Sequence, residues 1–248
     1  MFESLSWLQV GFVALAAFGG SIAAGLSGMG GGMLLAVALA PIVGIEALIP
    51  VTTVTMLINH IGRVNAFHAD VDWQAARRVM ITALPCTAVG ASVYAALPAD
   101  IVAIVIGVFV LIVVPGRRLI GDKQWRLGTV SFLGVGGIFG FVSGAAVGAG
   151  MIIVPVLLGH GLVGATLIGT DAVIGLAVLI VKAATFGTLS VLSLEIIIFG
   201  TITGLMTIPG VYLARWIIRN TSVRLHTYFI EAILVLGGVS FIWRGLTS

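Results

Sequence analysis

The sequence predicts an all-α polytopic membrane protein built from two inverted-topology repeats, each with a Gly-rich broken or re-entrant helix. Three observations predict it. The first is composition: 60% of the 248 residues are hydrophobic and 8% charged, with a mean hydropathy of +1.23, whereas a soluble domain carries roughly 25% charged residues. The second is continuity, because the apolar runs extend for about 18 residues or more, as membrane helices require, rather than alternating over strands of about ten residues as in a barrel. The third is an internal echo. Sliding the chain along itself by 118 residues superposes Gly30, Gly32 and Met33 on Gly148, Gly150 and Met151, and also Gly19 on Gly137, Ala47 on Ala165, Thr52 on Thr170, Ala66 on Ala184 and Tyr94 on Tyr212.

The elements follow in order. An apolar segment runs from about Trp7 to Leu26, and its N-terminal flank lacks the basic region of a cleavable signal, so it is read as part of the mature protein. Next comes Gly25-Leu-Ser-Gly28-Met-Gly30-Gly31-Gly32-Met33, with five glycines in the eight positions from 25 to 32. Each glycine costs about 1 kcal/mol against alanine in a helix interior, so three in succession should break the helix and free backbone N–H and C=O groups. At bilayer depth such a break survives only where protein buries it or where it lines a wet cavity. The run from Met33 to about Val43 is too short to span about 30 Å and reads as a half-helix.

A full span from Ile45 to Phe67 then carries Thr52, Thr53, Thr55, Asn59, His60 and Arg63, so its polar side must face protein or water. Two spans, about Gln74 to Leu97 and Asp100 to Pro115, are joined by a short turn at Pro98 that makes them antiparallel neighbours. The stretch 117–126 holds four Lys/Arg residues and separates the first repeat, 1–116, from the second, 127–248. The second repeat restates the order: a run from about Leu127 to Val147, the break Gly148-Ala149-Gly150-Met151, a half-helix to about Leu158, and a span from about Leu162 to Gly187 carrying Thr170, Asp171 and Lys182. Spans at about Leu192 to Trp216 and Thr227 to Trp243 complete it. Eight to ten membrane segments result, depending on whether each broken helix crosses or re-enters.

Loop charges decide the repeat orientation, because cytoplasmic loops are enriched in Lys and Arg. With the 117–126 linker inside, an inverted second unit keeps Arg77, Arg78, Arg215, Arg219 and Arg224 inside as well, whereas a parallel one would expose the last three. Both termini then lie outside. The five tryptophans fall near span ends, as interface anchors do.

Composition also excludes functions. The net charge of +3 comes from few residues and gives no basis for nucleic-acid binding. Cys86 stands alone, no Cys/His cluster has metal-ligand spacing, and no His-Glu-x-x-His or Gly-x-Ser-x-Gly motif is present, so neither a metal, a cofactor nor an enzymatic reaction is expected. Gly28-Met-Gly30 resembles a nucleotide-binding fragment, but it has no preceding strand and carries no weight.

The chemistry-bearing residues are those of the two breaks and the spans behind them. Two half-helix N-termini, at Gly30, Gly31, Gly32 and Met33 and at Gly148, Ala149, Gly150 and Met151, can point N–H groups and positive dipole ends at an anion. Close packing through small residues is the alternative, and it alone would explain Gly25, Gly28 and Gly144. Thr52, Thr53, Asn59 and Arg63 stand beside the first break, with Thr170 and Asp171 at the matching depth of the second copy and Lys182 one position out of register with Arg63. Ionisable groups inside a membrane are expensive and functional by default. Arg63 and Lys182 could balance an anion or snorkel to the interface, and Asp171 could carry a coupling proton or sit paired. The histidines, His60 included, read as satisfied or interfacial residues.

With these residues in view, the chain resembles the sulfite exporter TauE/SafE family, also called the 4-toluene sulfonate uptake permeases, over nearly its whole length. The resemblance rests on the tandem units and their signature: Gly28-Met-Gly30-Gly31-Gly32 followed by Val51-Thr52-Thr53, then Gly148-Ala149-Gly150, Pro155 and Gly169-Thr170-Asp171. Val37 replaces the expected proline in the first copy, and Asp171 replaces the usual serine. The resemblance implies a multi-pass transporter of the plasma (inner) membrane that moves a small sulfur-containing anion such as sulfite, thiosulfate or an organosulfonate, as an exporter linked to the proton gradient. Its partners are a small anionic substrate and the lipid bilayer, with a homodimer as a candidate assembly. A passive anion channel and a non-transporting scaffold subunit are the rival readings.

Overall fold

The computed structural model describes residues 6–27, 30–98 and 129–220, with scattered positions within 100–112. The linker at 117–126, the predicted last span from Thr227 to Trp243, most of the predicted span from Asp100 to Pro115, and Gly28 lie outside the described residues.

Seven α-helices and one short 3₁₀ turn are described, and no strand occurs among these residues. They are α1 (Trp7–Ser27), α2 (Gly31–Phe67), a 3₁₀ turn (His68–Asp70), α3 (Trp73–Ala96), α4 (Thr129–Ala145), α5 (Gly150–Gly159), α6 (Gly164–Thr188) and α7 (Leu194–Asn220). Five of them, α1, α2, α3, α6 and α7, are long and apolar enough to cross a membrane. The protein is a multi-pass membrane protein. Its outer faces carry apolar side chains such as Leu8, Leu15, Ile81, Ile138, Leu194 and Leu205, which suits contact with lipid tails.

Local chemistry fixes the ends and bends. Asp72 caps α3, its carboxylate accepting from the backbone N–H groups of Gln74 and Ala75 at 2.9 and 3.0 Å. Within α2, Gly44 leaves the helical region altogether at φ 74° and ψ 170°, a conformation open to glycine and hostile to other residues. The break falls between Val43 and Ile45, the boundary expected between half-helix and full span. Pro50 removes the N–H that would bond the carbonyl of Glu46. The Tyr94 hydroxyl donates to that carbonyl at 3.1 Å and satisfies it across the α2–α3 boundary.

The helices pack through small residues. On α4, Gly136, Gly140 and Gly144 face the α3 backbone at Val79, Ala83 and Thr87, so the two helices approach too closely for any side chain. The Thr82 hydroxyl donates to Leu133 O at 2.6 Å and the Thr87 hydroxyl to Gly140 O at 3.1 Å. At the offset-related place, α1 packs on α7: Gly25 faces Ala214, Gly210 faces Phe18 and Ser21, and the Ser21 hydroxyl donates to Thr207 O at 2.6 Å. Helices α1 and α4, which the 118-residue offset superposes, thus lie against α7 and α3, which it superposes likewise. Between these pairs run α2 and α6. Their contacts pair His60 with Gly175, Arg63 with Asp171 and Phe67 with Gly169, so numbering rises along one as it falls along the other. The two offset-related helices are antiparallel.

Candidate functional site

The two glycine-rich stretches meet around one cavity. Helix α1 ends at Ser27 and α2 begins at Gly31, with Gly30 at φ 82° and its carbonyl accepting from Leu34 N–H at 2.8 Å. Helix α4 ends at Ala145 and α5 begins at Gly150, with Gly148 at φ 92°. Positive φ at Gly30 and Gly148 is the local reason for glycine there. Side-chain space supplies a second reason: a Cβ on Gly148 would lie 2.6 Å from the Met33 methyl and 3.2 Å from that of Met151. Gly31 is closed by Gly20 O and Ala24 of α1, and Gly32 by the Met56 sulfur at 3.3 Å.

The cavity measures about 110 Å³ and is bounded by both stretches and by the facing sides of α2 and α6. Polar side chains reach it from Thr52, Thr53, His60, Arg63, Ser143, Asp171 and Lys182, while Met56, Phe139, Val147, Val178 and Leu179 form its apolar wall. One water needs about 10–15 Å³ on this measure, so a small oxyanion fits.

Its electrostatics rest on two fully internal groups. Arg63, 1% exposed, donates from Nη2 to Asp171 Oδ2 at 2.7 Å and lies 3.4 Å from Ile168 O. Neither it nor Lys182, 2% exposed, extends to an interface. The Lys182 ammonium instead donates to Ser143 O at 2.8 Å and Ala146 O at 3.0 Å, taking up carbonyls left open where α4 ends. It also stands 5.5 Å from the Phe186 ring centre. Arg63 Nε has no hydrogen-bond partner among the described residues, which leaves one charged donor unspent beside the cavity.

Eleven of the sequence-predicted residues line the cavity: Gly30, Gly31, Gly32, Thr52, Thr53, Arg63, Gly148, Ala149, Gly150, Asp171 and Lys182. The structure leaves four outside it. Met33 and Met151 pack behind Gly148, buried among apolar side chains. The Thr170 hydroxyl accepts from Asp72 N–H at 3.0 Å at the start of α3. Asn59 is fully buried, yet both its amide atoms lack partners among the described residues. The threonines that do line the cavity spend their hydroxyl protons on their own helix: Thr52 on Leu48 O and Ile49 O at 2.8 and 3.0 Å, Thr53 on Ile49 O at 2.7 Å. They offer an anion no free donor.

Sequence reasoning passed over His60. Its Nδ1 lies 2.9 Å from Met56 O, so that nitrogen carries the proton and Nε2, 3.4 Å from Arg63 Nη1, presents a lone pair. The ring occupies space that a side chain on Gly175 would fill, with a Cβ there only 2.5 Å from Nε2. The spacing of His60 three residues before Arg63 was the available signal, since that interval puts both on one helix face.

A family model described as "Sulfite exporter TauE/SafE" matches residues 12–241. No curated protein and no solved structure matches the chain. The matched segment covers both glycine stretches, both cavity helices and every residue of the cavity wall. The chain belongs to the TauE/SafE sulfite exporter family of membrane transporters.

Proposed function

We propose that this protein is a secondary transporter of a small sulfur-containing oxyanion such as sulfite, thiosulfate or an organosulfonate, working as an exporter linked to the proton gradient. One observation carries the reading: one partly open cavity is lined at once by both glycine-rich stretches and by Arg63, Asp171 and Lys182. Transporters that use broken helices place substrate at such a junction between repeats, where helix N-termini and irregular backbone are sheltered from lipid.

The two units, 1–116 and 127–248, are proposed to be inverted repeats joined by a cytoplasmic linker at 117–126 in the inner membrane. The antiparallel course of α2 and α6 supports this, since helices equivalent under the 118-residue offset would run parallel in a direct repeat. Alternating access then amounts to one unit rocking against the other around the cavity. Arg63 and Asp171 come from opposite units, so their bond is remade or broken by such motion.

Coupling is assigned to Asp171. While ionised it holds Arg63, and a proton on it changes the charge that the cavity presents. Proteoliposome flux of sulfite and of an organosulfonate, with and without an imposed pH gradient, tests the proposal. Accumulation that follows the gradient supports it, equilibration indifferent to the gradient identifies a passive channel, and absence of flux in both directions rejects transport of these anions.

A further inference from the structure

Among the described residues three formal charges line the cavity, and two of them cancel. Arg63 and Asp171 are joined at 2.7 Å, with side chains 2% and 6% exposed. Lys182 is bound only to main-chain carbonyls and the Phe186 ring among the described residues. His60 adds no charge in the arrangement seen, because its Nε2 lone pair faces the Arg63 guanidinium. Helix ends add little on balance: each glycine stretch sets the C-terminus of one helix (α1 or α4) beside the N-terminus of the next (α2 or α5), so the opposing dipole ends offset one another.

We infer that the cavity selects a monovalent oxyanion over a divalent one of the same shape, with Lys182 supplying the single balancing charge. The inference rests on the proposed reading of this cavity as the substrate site. A monoanion brings the enclosed charge to zero. A dianion leaves one negative charge without a counter-ion in a partly open cavity walled in part by Met56, Phe139, Val147, Val178 and Leu179, and a poorly solvated charge without a partner is disfavoured. Shape gives no such discrimination, because tetrahedral sulfur oxyanions of one and two charges are nearly the same size. The charge count is therefore the specificity element, and Asp171 sets it as much as Lys182 does.

Methanesulfonate and sulfate are suitable probes, sharing a tetrahedral sulfur centre and carrying one and two charges at neutral pH. Binding to the purified full chain in lipid nanodiscs is measured by calorimetry for the wild type, Asp171→Asn and Lys182→Gln. The wild type is expected to bind methanesulfonate about tenfold or more tighter than sulfate. Asp171→Asn adds one net positive charge and should shift that ratio about tenfold towards sulfate, whereas Lys182→Gln should weaken methanesulfonate about tenfold. Sulfate's greater hydration favours methanesulfonate equally in every variant, so the shift between variants is the diagnostic quantity.

Sulfate binding as tight as methanesulfonate in the wild type overturns the inference while leaving the substrate-site reading intact. An unchanged ratio in folded Asp171→Asn does the same. Should Asp171→Asn fail to fold, the Lys182→Gln result decides, and full retention of methanesulfonate affinity there overturns the inference. Absence of binding by either anion to the wild type defeats the substrate-site reading itself, and the charge rule falls with it.

Discussion

Arg63 on α2 and Asp171 on α6 form an ion pair at 2.7 Å that joins these two helices away from any surface. Removing one member of a buried pair leaves the other charged and unpaired, at a cost of about 3–5 kcal/mol, whereas apolar replacement of both is often close to neutral. Arg63→Met and Asp171→Leu should each lower stability by about that much, and the double variant should recover most of the loss. Thermal unfolding in detergent across this four-member cycle reads the coupling. Additive losses in the double variant would show that the pair is not a unit. Transport should be absent from all three variants, recovered stability notwithstanding.

Glycines that look alike in sequence should respond in opposite ways. A Cβ on Gly140 of α4 would collide with the Ala83 backbone of α3, while nothing lies within 4 Å of one placed on Gly134 of the same helix. Gly140→Ala forces the helices apart and should destabilise by about 1–3 kcal/mol. Gly134→Ala gains helix propensity and should stabilise by up to about 1 kcal/mol. Melting temperatures of the two variants in one detergent check the pair, and equal shifts would contradict the packing described.

Much of this architecture was legible because membrane helices announce themselves by length and hydropathy. The boundary at Gly44 followed from a run, Met33 to about Val43, too short to span, and the helix start beside Gly148 from glycine's conformational range. The chemistry was less legible, for a specific reason. The 118-residue echo encourages a symmetric site, yet the positions offset-related to His60, Arg63 and Lys182 are Val178, Val181 and Val64. One unit supplies the guanidinium and imidazole, and the other the carboxylate and ammonium. No pattern within a single unit reveals that they converge. Thr170 illustrates the opposite failure, since a polar residue at the expected depth serves the α3 terminus through Asp72. Helical spacing gave its depth but not which neighbour it faced.

Asn59 separates burial from function. It shares the polar stripe of α2 but does not line the cavity, and its side-chain oxygen and nitrogen are both buried without partners among the described residues. An unsatisfied buried polar group costs about 1–3 kcal/mol, and an apolar group of similar shape removes that cost. Asn59→Leu should therefore raise stability by up to about that amount, with flux retained. Stability and anion flux measured on the same preparation decide the matter: a more stable protein without flux would return Asn59 to the transport machinery.

Lys182 combines the two roles that the other residues divide. Its ammonium satisfies Ser143 O and Ala146 O at the end of α4, and it is the cavity cation left uncompensated by a carboxylate among the described residues. Substitutions can separate these roles because they depend on different properties. Lys182→Gln keeps an amide donor that can reach one carbonyl but removes the charge, so the loss of stability should be limited to about 1–2 kcal/mol while anion flux falls sharply. Lys182→Met removes donor and charge together, leaves both carbonyls open, and should cost about 2–4 kcal/mol with a comparable loss of flux. Lys182→Arg keeps the charge on a planar, bulkier head and should retain more flux than Gln while packing less well. The order of flux, with Lys above Arg and Arg above Gln and Met, reads charge; the order of stability, with Gln above Met, reads hydrogen bonding. Flux in Lys182→Gln equal to the wild type would leave the lysine with its carbonyl-binding role alone.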